Sequence, residues 1–154
     1  MTDSCTIRVD QFLPYSPAQV WKALTDPDLL ARWLMPNDFQ LVVGHHFTFR
    51  NIPIPQVKFG GIAYCEVLAF EVERRLHLSW VDRGEENGLN STVTWRLEPE
   101  GKGTHLFMEH EGFNPNHPIQ QLSYQLMSKG WSRLPQRIAD MLAEDSATPA
   151  AEGV

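Results

Sequence analysis

The chain predicts an α+β domain: an antiparallel meander of about six or seven short strands, two short helices after the first strand, and one long C-terminal helix that the sheet wraps. Three observations carry this expectation. Two proline-led helix starts follow the first strand, at Ser16-Pro17 and Asp26-Pro27. The middle of the chain is a succession of runs alternating apolar and polar, the period of half-buried strands, joined by tight turns. From about Ile119 to Glu144 the period becomes helical, with Leu122, Leu126, Trp131, Leu134, Ile138, Met141 and Leu142 near one face.

Each element has its own local reason. Thr6 to Leu13 alternates and stops at Pro14. Ser16 is a good N-cap and Pro17 occupies the first helical position, where a missing N–H costs nothing. Val20, Trp21, Ala23 and Leu24 form one apolar face, and Asp26-Pro27 repeats the signal for a second helix with Leu29, Leu30 and Trp33 inward. Strands are expected at Phe39 to Val43, His46 to Arg50, Ile62 to Glu71, Leu76 to Trp80, Thr92 to Leu97 and His105 to Glu111. Residues 51–58, with two prolines, and 82–90 (DRGEENGLN) read as loops. Pro135 is expected to kink or split the long helix, because its ring displaces the carbonyl one turn back.

The 154 residues suit a single domain, taken as 1–145, with 146–154 as a disordered tail. Net charge is -6, so no basic footprint for nucleic acid or an anionic membrane is present. No apolar run approaches the roughly 20 residues that span a bilayer. Cys5 and Cys65 are far apart and in strand-like runs, neither a CxxC nor a zinc pattern. Both are read as thiols of a reducing cytoplasm. The first residues lack a basic head and an apolar core, so a cytoplasmic location is expected.

Strand parity assigns an inward face. Leu76, Leu78 and Trp80, then Val93, Trp95 and Leu97, then Leu106, Met108 and His110 should face the C-terminal helix, with Phe47 and Phe49 beside them. His77, Ser79, Thr94, Arg96, Glu109 and Glu111 should face water. Such an aromatic set is either a filled core or the wall of a cavity with few polar groups. The expected cavity residues are Trp33, Phe47, Phe49, Leu78, Trp80, Val93, Trp95, Leu106, Met108, His110, Trp131 and Leu134.

These stretches, taken in order, resemble a known family. The run VWKALTDPDLLARW from Val20 to Trp33, Val43 to Phe49, Gly61 to Leu68, Arg74 to Leu76, Trp80, Val93 to Trp95, Glu109 to Phe113 and Gly130-Trp131 are similar to the SRPBCC (START-like, Bet v-like) superfamily. Within it they most resemble the bacterial AHSA-like branch, activators of heat-shock-protein-90 ATPase. The resemblance covers about residues 5–144. It implies a helix-grip fold, in which a curved antiparallel sheet grips the long helix. It further implies a binder of hydrophobic small molecules, a polyketide cyclase or aromatase, or a stress-related protein that contacts a chaperone. No catalytic set is carried over.

His110 is the candidate catalytic residue: a buried neutral imidazole could polarise a ligand carbonyl or take a proton, or could equally be a hydrogen-bonded core histidine. His45 and His46 point to opposite faces of a strand and cannot share an ion, so no metal is expected. Glu109 and Glu111 read as a surface pair, and Glu66 turns inward only if the strand bulges after Gly61. Neither a GxSxG elbow nor a phosphate loop is present, and no cofactor is expected. The expected function is binding of a small apolar or aromatic ligand between sheet and helix, with a cyclase-type enzyme and a chaperone partner as alternatives. An exposed sheet edge would permit a homodimer.

Overall fold

The structure, a computed structural model, describes residues 5–152, with side chains described to Glu144. Strands β1 (Ile7–Leu13), β2 (His46–Arg50), β3 (Ile62–Glu71), β4 (Arg75–Val81), β5 (Asn90–Glu100) and β6 (Gly103–Glu111) form one antiparallel sheet in the order β1-β6-β5-β4-β3-β2. Helices α1 (Pro17–Thr25) and α2 (Pro27–Trp33) follow β1, and α3 (Pro118–Glu152) follows β6. All three pack on the same face of the sheet, which is the α+β helix-grip arrangement.

The helix starts behave as their residues dictate. Ser16 accepts from the Gln19 amide while the Gln19 side chain accepts from the Ser16 amide, a reciprocal capping box. Asp26 ends α1 and caps α2, its carboxylate accepting from the amides of Asp28 and Leu29. Trp33 then reaches back and donates its indole N–H to the Ala23 carbonyl at 2.7 Å, locking the two helices together.

Parity sorts the sheet as expected. Leu76, Leu78, Trp80, Val93, Trp95, Leu97, Leu106, Met108 and His110 are all buried, together with Phe47 and Phe49. The outer face carries polar pairs, including Arg8 on Glu109 at 2.9 Å and His77 on Thr94 at 2.7 Å. Glu66 faces outward toward His46 at 3.3 Å, because the irregularity in β3 falls between Val67 and Ala69 and not after Gly61. His45 and His46 diverge, the former lying against the Asp38 carbonyl.

One expectation is corrected. Residues 39–43 form no strand: Val42 and Val43 are exposed and a turn links His45 to Val42. The stretch does not pair with the sheet because residues 36–38 already occupy the outer edge of β2, and Phe39 alone of its apolar residues is fully buried. Pro135 does not split α3, which is continuous from Pro118 to Glu152. The helix also includes positions 146–152 of the expected tail; side chains there, and residues 153–154, lie outside the described residues. Finally, the β2 edge is partly covered: the Thr48 amide donates to Asp38 at 2.6 Å and the Arg50 amide to the Pro36 carbonyl at 3.0 Å. Such cover blunts an edge that would otherwise pair with another chain.

Candidate ligand cavity

Four tryptophans and a histidine fill the centre of the molecule. Trp33 packs edge-on against Trp95 at 5.6 Å, Trp95 against Trp131 at 5.7 Å, and Trp131 against Trp80 at 5.6 Å. Phe49 stacks on Trp80 at 5.3 Å. Edge and offset contacts at these separations are the favoured ones for aromatic rings. The void they leave is about 10 Å³, room for about one water and far too small for a ligand. Trp33, Phe47, Phe49, Leu78, Val93, Trp95, Leu106 and Met108 therefore sit in packed core.

His110 lies within this core, fully buried, and both ring nitrogens are engaged. The indole N–H of Trp131 donates to Nδ1 at 3.0 Å, which leaves the imidazole proton on Nε2. Nε2 lies 2.8 Å from the Ser91 hydroxyl, and Ser91 donates onward to the Trp80 carbonyl at 2.7 Å. The chain Trp131–His110–Ser91–Trp80 thus has one direction and no spare donor. Burial pushes the His110 pKa down to about 3, so the ring is neutral at physiological pH. In this arrangement the imidazole holds two tryptophans in place and presents no free nitrogen to a ligand.

The open space lies to one side. A cavity of about 380 Å³ runs between α3 and the loops 51–61 and 82–89, with Trp80 and Trp131 as its back wall and Leu134 on its flank. Ile54, Val57, Phe59, Leu89 and Met127 add apolar surface. Exposed Leu126, Gly130, Arg133 and Arg137 of α3 form its lip. Of the residues expected from the sequence, Trp80, Trp131 and Leu134 line it; His110 stands one layer behind.

The family profile described as "Activator of Hsp90 ATPase homolog 1-like protein" matches residues 14–143. The chain belongs to this family. Its fold is shared with protein MLL2253 from Mesorhizobium loti, at 35% identity and a TM-score of 0.79, over 90% of this chain and 97% of that one. It is also similar to CalU16 from Micromonospora echinospora, at 27% identity and a TM-score of 0.69, over 89% of this chain and 73% of that one. The Aha1 dimer from Colwellia psychrerythraea has the same fold at 18% identity and a TM-score of 0.71, over 88% and 93% of the two chains. No curated protein matches. Among the described residues, no helix is long and apolar enough to cross a membrane.

In this AHSA1-like chain the polar lining combines Asn51, Asp82 and Asn87 of the loops with Ser123, Arg133 and Arg137 of α3. Asn87 is buried and fully used: its amide donates to the Val57 carbonyl at 2.6 Å and to the Ser123 hydroxyl at 2.9 Å, and its side-chain oxygen accepts from the Leu89 amide at 3.2 Å. One side chain thereby ties both loops to α3. Asp82 accepts from the Gly84 amide at 2.7 Å, and burial raises its carboxyl pKa above the usual range. Neither residue was singled out from the sequence. Both sit in a polar stretch without periodicity, and loop residues acquire neighbours only when the chain folds. The local signals were Asp82 and Asn87, each two residues before a backbone amide that it captures, the pattern of Asx turns.

Proposed function

We propose that the chain binds a small apolar or aromatic molecule in the cavity between α3 and the loops 51–61 and 82–89. The observation that carries this reading is the combination of about 380 Å³ of space with a wall of two tryptophans held rigid by His110. The volume lies within the range of small-molecule sites, and the mix of an apolar wall with a few placed polar groups is what such sites share. Asp82 supplies an acceptor inside, and Asn51 a polar side chain near the mouth. Membership of the family, with its sheet and gripped helix, supports the same reading.

Gly130 makes the test clean. A Cβ built there meets no atom within 4 Å, so a side chain at this position enters open space at the lip of the cavity. Replacing an exposed helical glycine also favours the helix by roughly 0.5–1 kcal/mol. N-phenyl-1-naphthylamine, a neutral aromatic probe, should bind the wild-type protein saturably, read by its own fluorescence. Gly130→Trp should weaken that binding at least about tenfold while the melting temperature stays level or rises. Equal binding by the two proteins would reject the cavity as the site.

A further inference from the structure

We infer that the ligand of this cavity is an anionic amphiphile, whose acidic head sits at the lip on Arg133 and Arg137 and whose apolar body lies against Trp131 and Trp80. The inference rests on the cavity reading above and adds the ligand's charge and orientation.

Arg133 and Arg137 are one helical turn apart on α3, both exposed and both lining the cavity. Among the described residues neither guanidinium has an ion-pair partner. Arg8, Arg32, Arg75 and Arg96 pair with Glu109, Glu144, Glu71 and Glu98, and Arg83 lies over the Tyr64 ring; Arg50 and Arg74 also lack a carboxylate partner among the described residues, so it is their place on the cavity lining that sets Arg133 and Arg137 apart. The carboxylates of α3 that could have served are used elsewhere, Asp140 by the Gln136 amide and Glu144 by Arg32. Arg133 and Arg137 thus set two cations without a carboxylate partner one turn apart at an apolar opening, in a chain of net charge -6.

The opposite end has the opposite character. The 82–89 loop is fastened to α3 at Ser123 through Asn87, and Ser123 precedes Arg133 by ten residues, about 15 Å along a helix axis. Asp82, an acceptor carboxyl, lines the cavity from that loop. A ligand with a negative head would be repelled at Asp82 and paired at Arg133 and Arg137, where planar guanidinium groups suit carboxylate, sulfonate or phosphate. Polarity thus orients the ligand.

A matched pair of probes separates head from body. 1-Anilinonaphthalene-8-sulfonate and N-phenyl-1-naphthylamine share one aromatic body and differ by the sulfonate. In Arg133→Gln/Arg137→Gln the sulfonate probe should bind about tenfold more weakly, and the neutral probe should change less than about twofold. Raising salt should weaken sulfonate binding in wild type and hardly at all in the double variant. Competition by 1-naphthylacetate or 1-naphthyl phosphate, better than by neutral 1-naphthalenemethanol, supports the assignment and tells carboxylate from phosphate. Sulfonate binding that survives the double substitution, or equal competition by the alcohol, overturns the anionic head while leaving the cavity reading intact. Failure of wild type to bind either naphthyl probe overturns both.

Discussion

Trp131 donates its indole N–H to Nδ1 of His110, and this single bond sets the imidazole tautomer and fixes the back wall of the cavity. Trp131→Phe keeps an aromatic ring but leaves a buried nitrogen without its donor. An unsatisfied buried acceptor costs about 1–3 kcal/mol, and the smaller ring adds a packing loss. Urea unfolding should show a total loss of about 2–4 kcal/mol. A loss below 0.5 kcal/mol would mean that the bond contributes nothing to holding the wall.

Acid should weaken the fold through the same histidine. His110 has a folded value of about 3 against an ordinary value of 6.5, so between those limits the unfolded chain binds the extra proton. Stability is therefore fully present above pH 6.5 and is lost progressively as pH falls toward 3. Two pH units below 6.5 the loss is about 3 kcal/mol. The half-buried His77 has the same sign, its pKa lowered mainly by burial. His105, raised by Asp10, has the opposite sign, but it is an exposed pair and counts for little. In His110→Gln the fall in unfolding free energy between pH 7 and pH 4.5 should be smaller by about that 3 kcal/mol. An unchanged pH slope would show that His110 does not stay neutral in the folded protein.

Asn87→Ala removes a side chain that joins both cavity loops to α3, while the Gln120 amide still donates to the backbone carbonyl at position 87. The expected cost is about 2–3 kcal/mol, from several lost bonds inside the protein. Hydrogen exchange should report it locally: the Leu89 amide, which donates to Asn87, should exchange much faster, while amides of the β5–β6 ladder keep their protection. Uniform acceleration across the sheet would show that the loops and the sheet open together.

Gly112 follows β6 with φ at +117°, and a Cβ there would lie 2.8 Å from the Asn90 carbonyl oxygen and 2.9 Å from the Ser91 Cα. Both the dihedral and the space require glycine. Gly112→Ala should cost at least about 2 kcal/mol, because the backbone must leave an unfavourable region or push Ser91 away from His110. Thermal melts of this variant and of Gly130→Ala, which meets no atom, make the comparison. Similar melting temperatures would show that the strand end is free to relax.

Much of the fold was legible because its information is local. Ser16-Pro17 and Asp26-Pro27 carry their caps within three residues. Alternation in β4, β5 and β6 placed the nine side chains assigned inward on the buried face, since strand parity has a period of two wherever the sheet runs, but missed Ser91 and Thr104 at the strand ends. Residues 39–43 show the limit: their apolar content reads as a strand, yet a strand needs a free partner, and the outer edge of β2 is already taken by residues 36–38. Leu122 and Leu126 belong by spacing to the buried stripe of α3 but remain partly exposed, because this end of the helix meets loops and not the sheet.

By itself, the sequence determined the α+β class, the gripped helix and an inward set of aromatic side chains around His110. The tertiary structure alone decided whether those rings leave space. They close on one another to within about 10 Å³, and the room for a ligand opens beside them, where α3 crosses two loops. Periodicity records which side of an element avoids water. It holds no record of how far apart two elements settle, and that distance separates a filled core from a cavity.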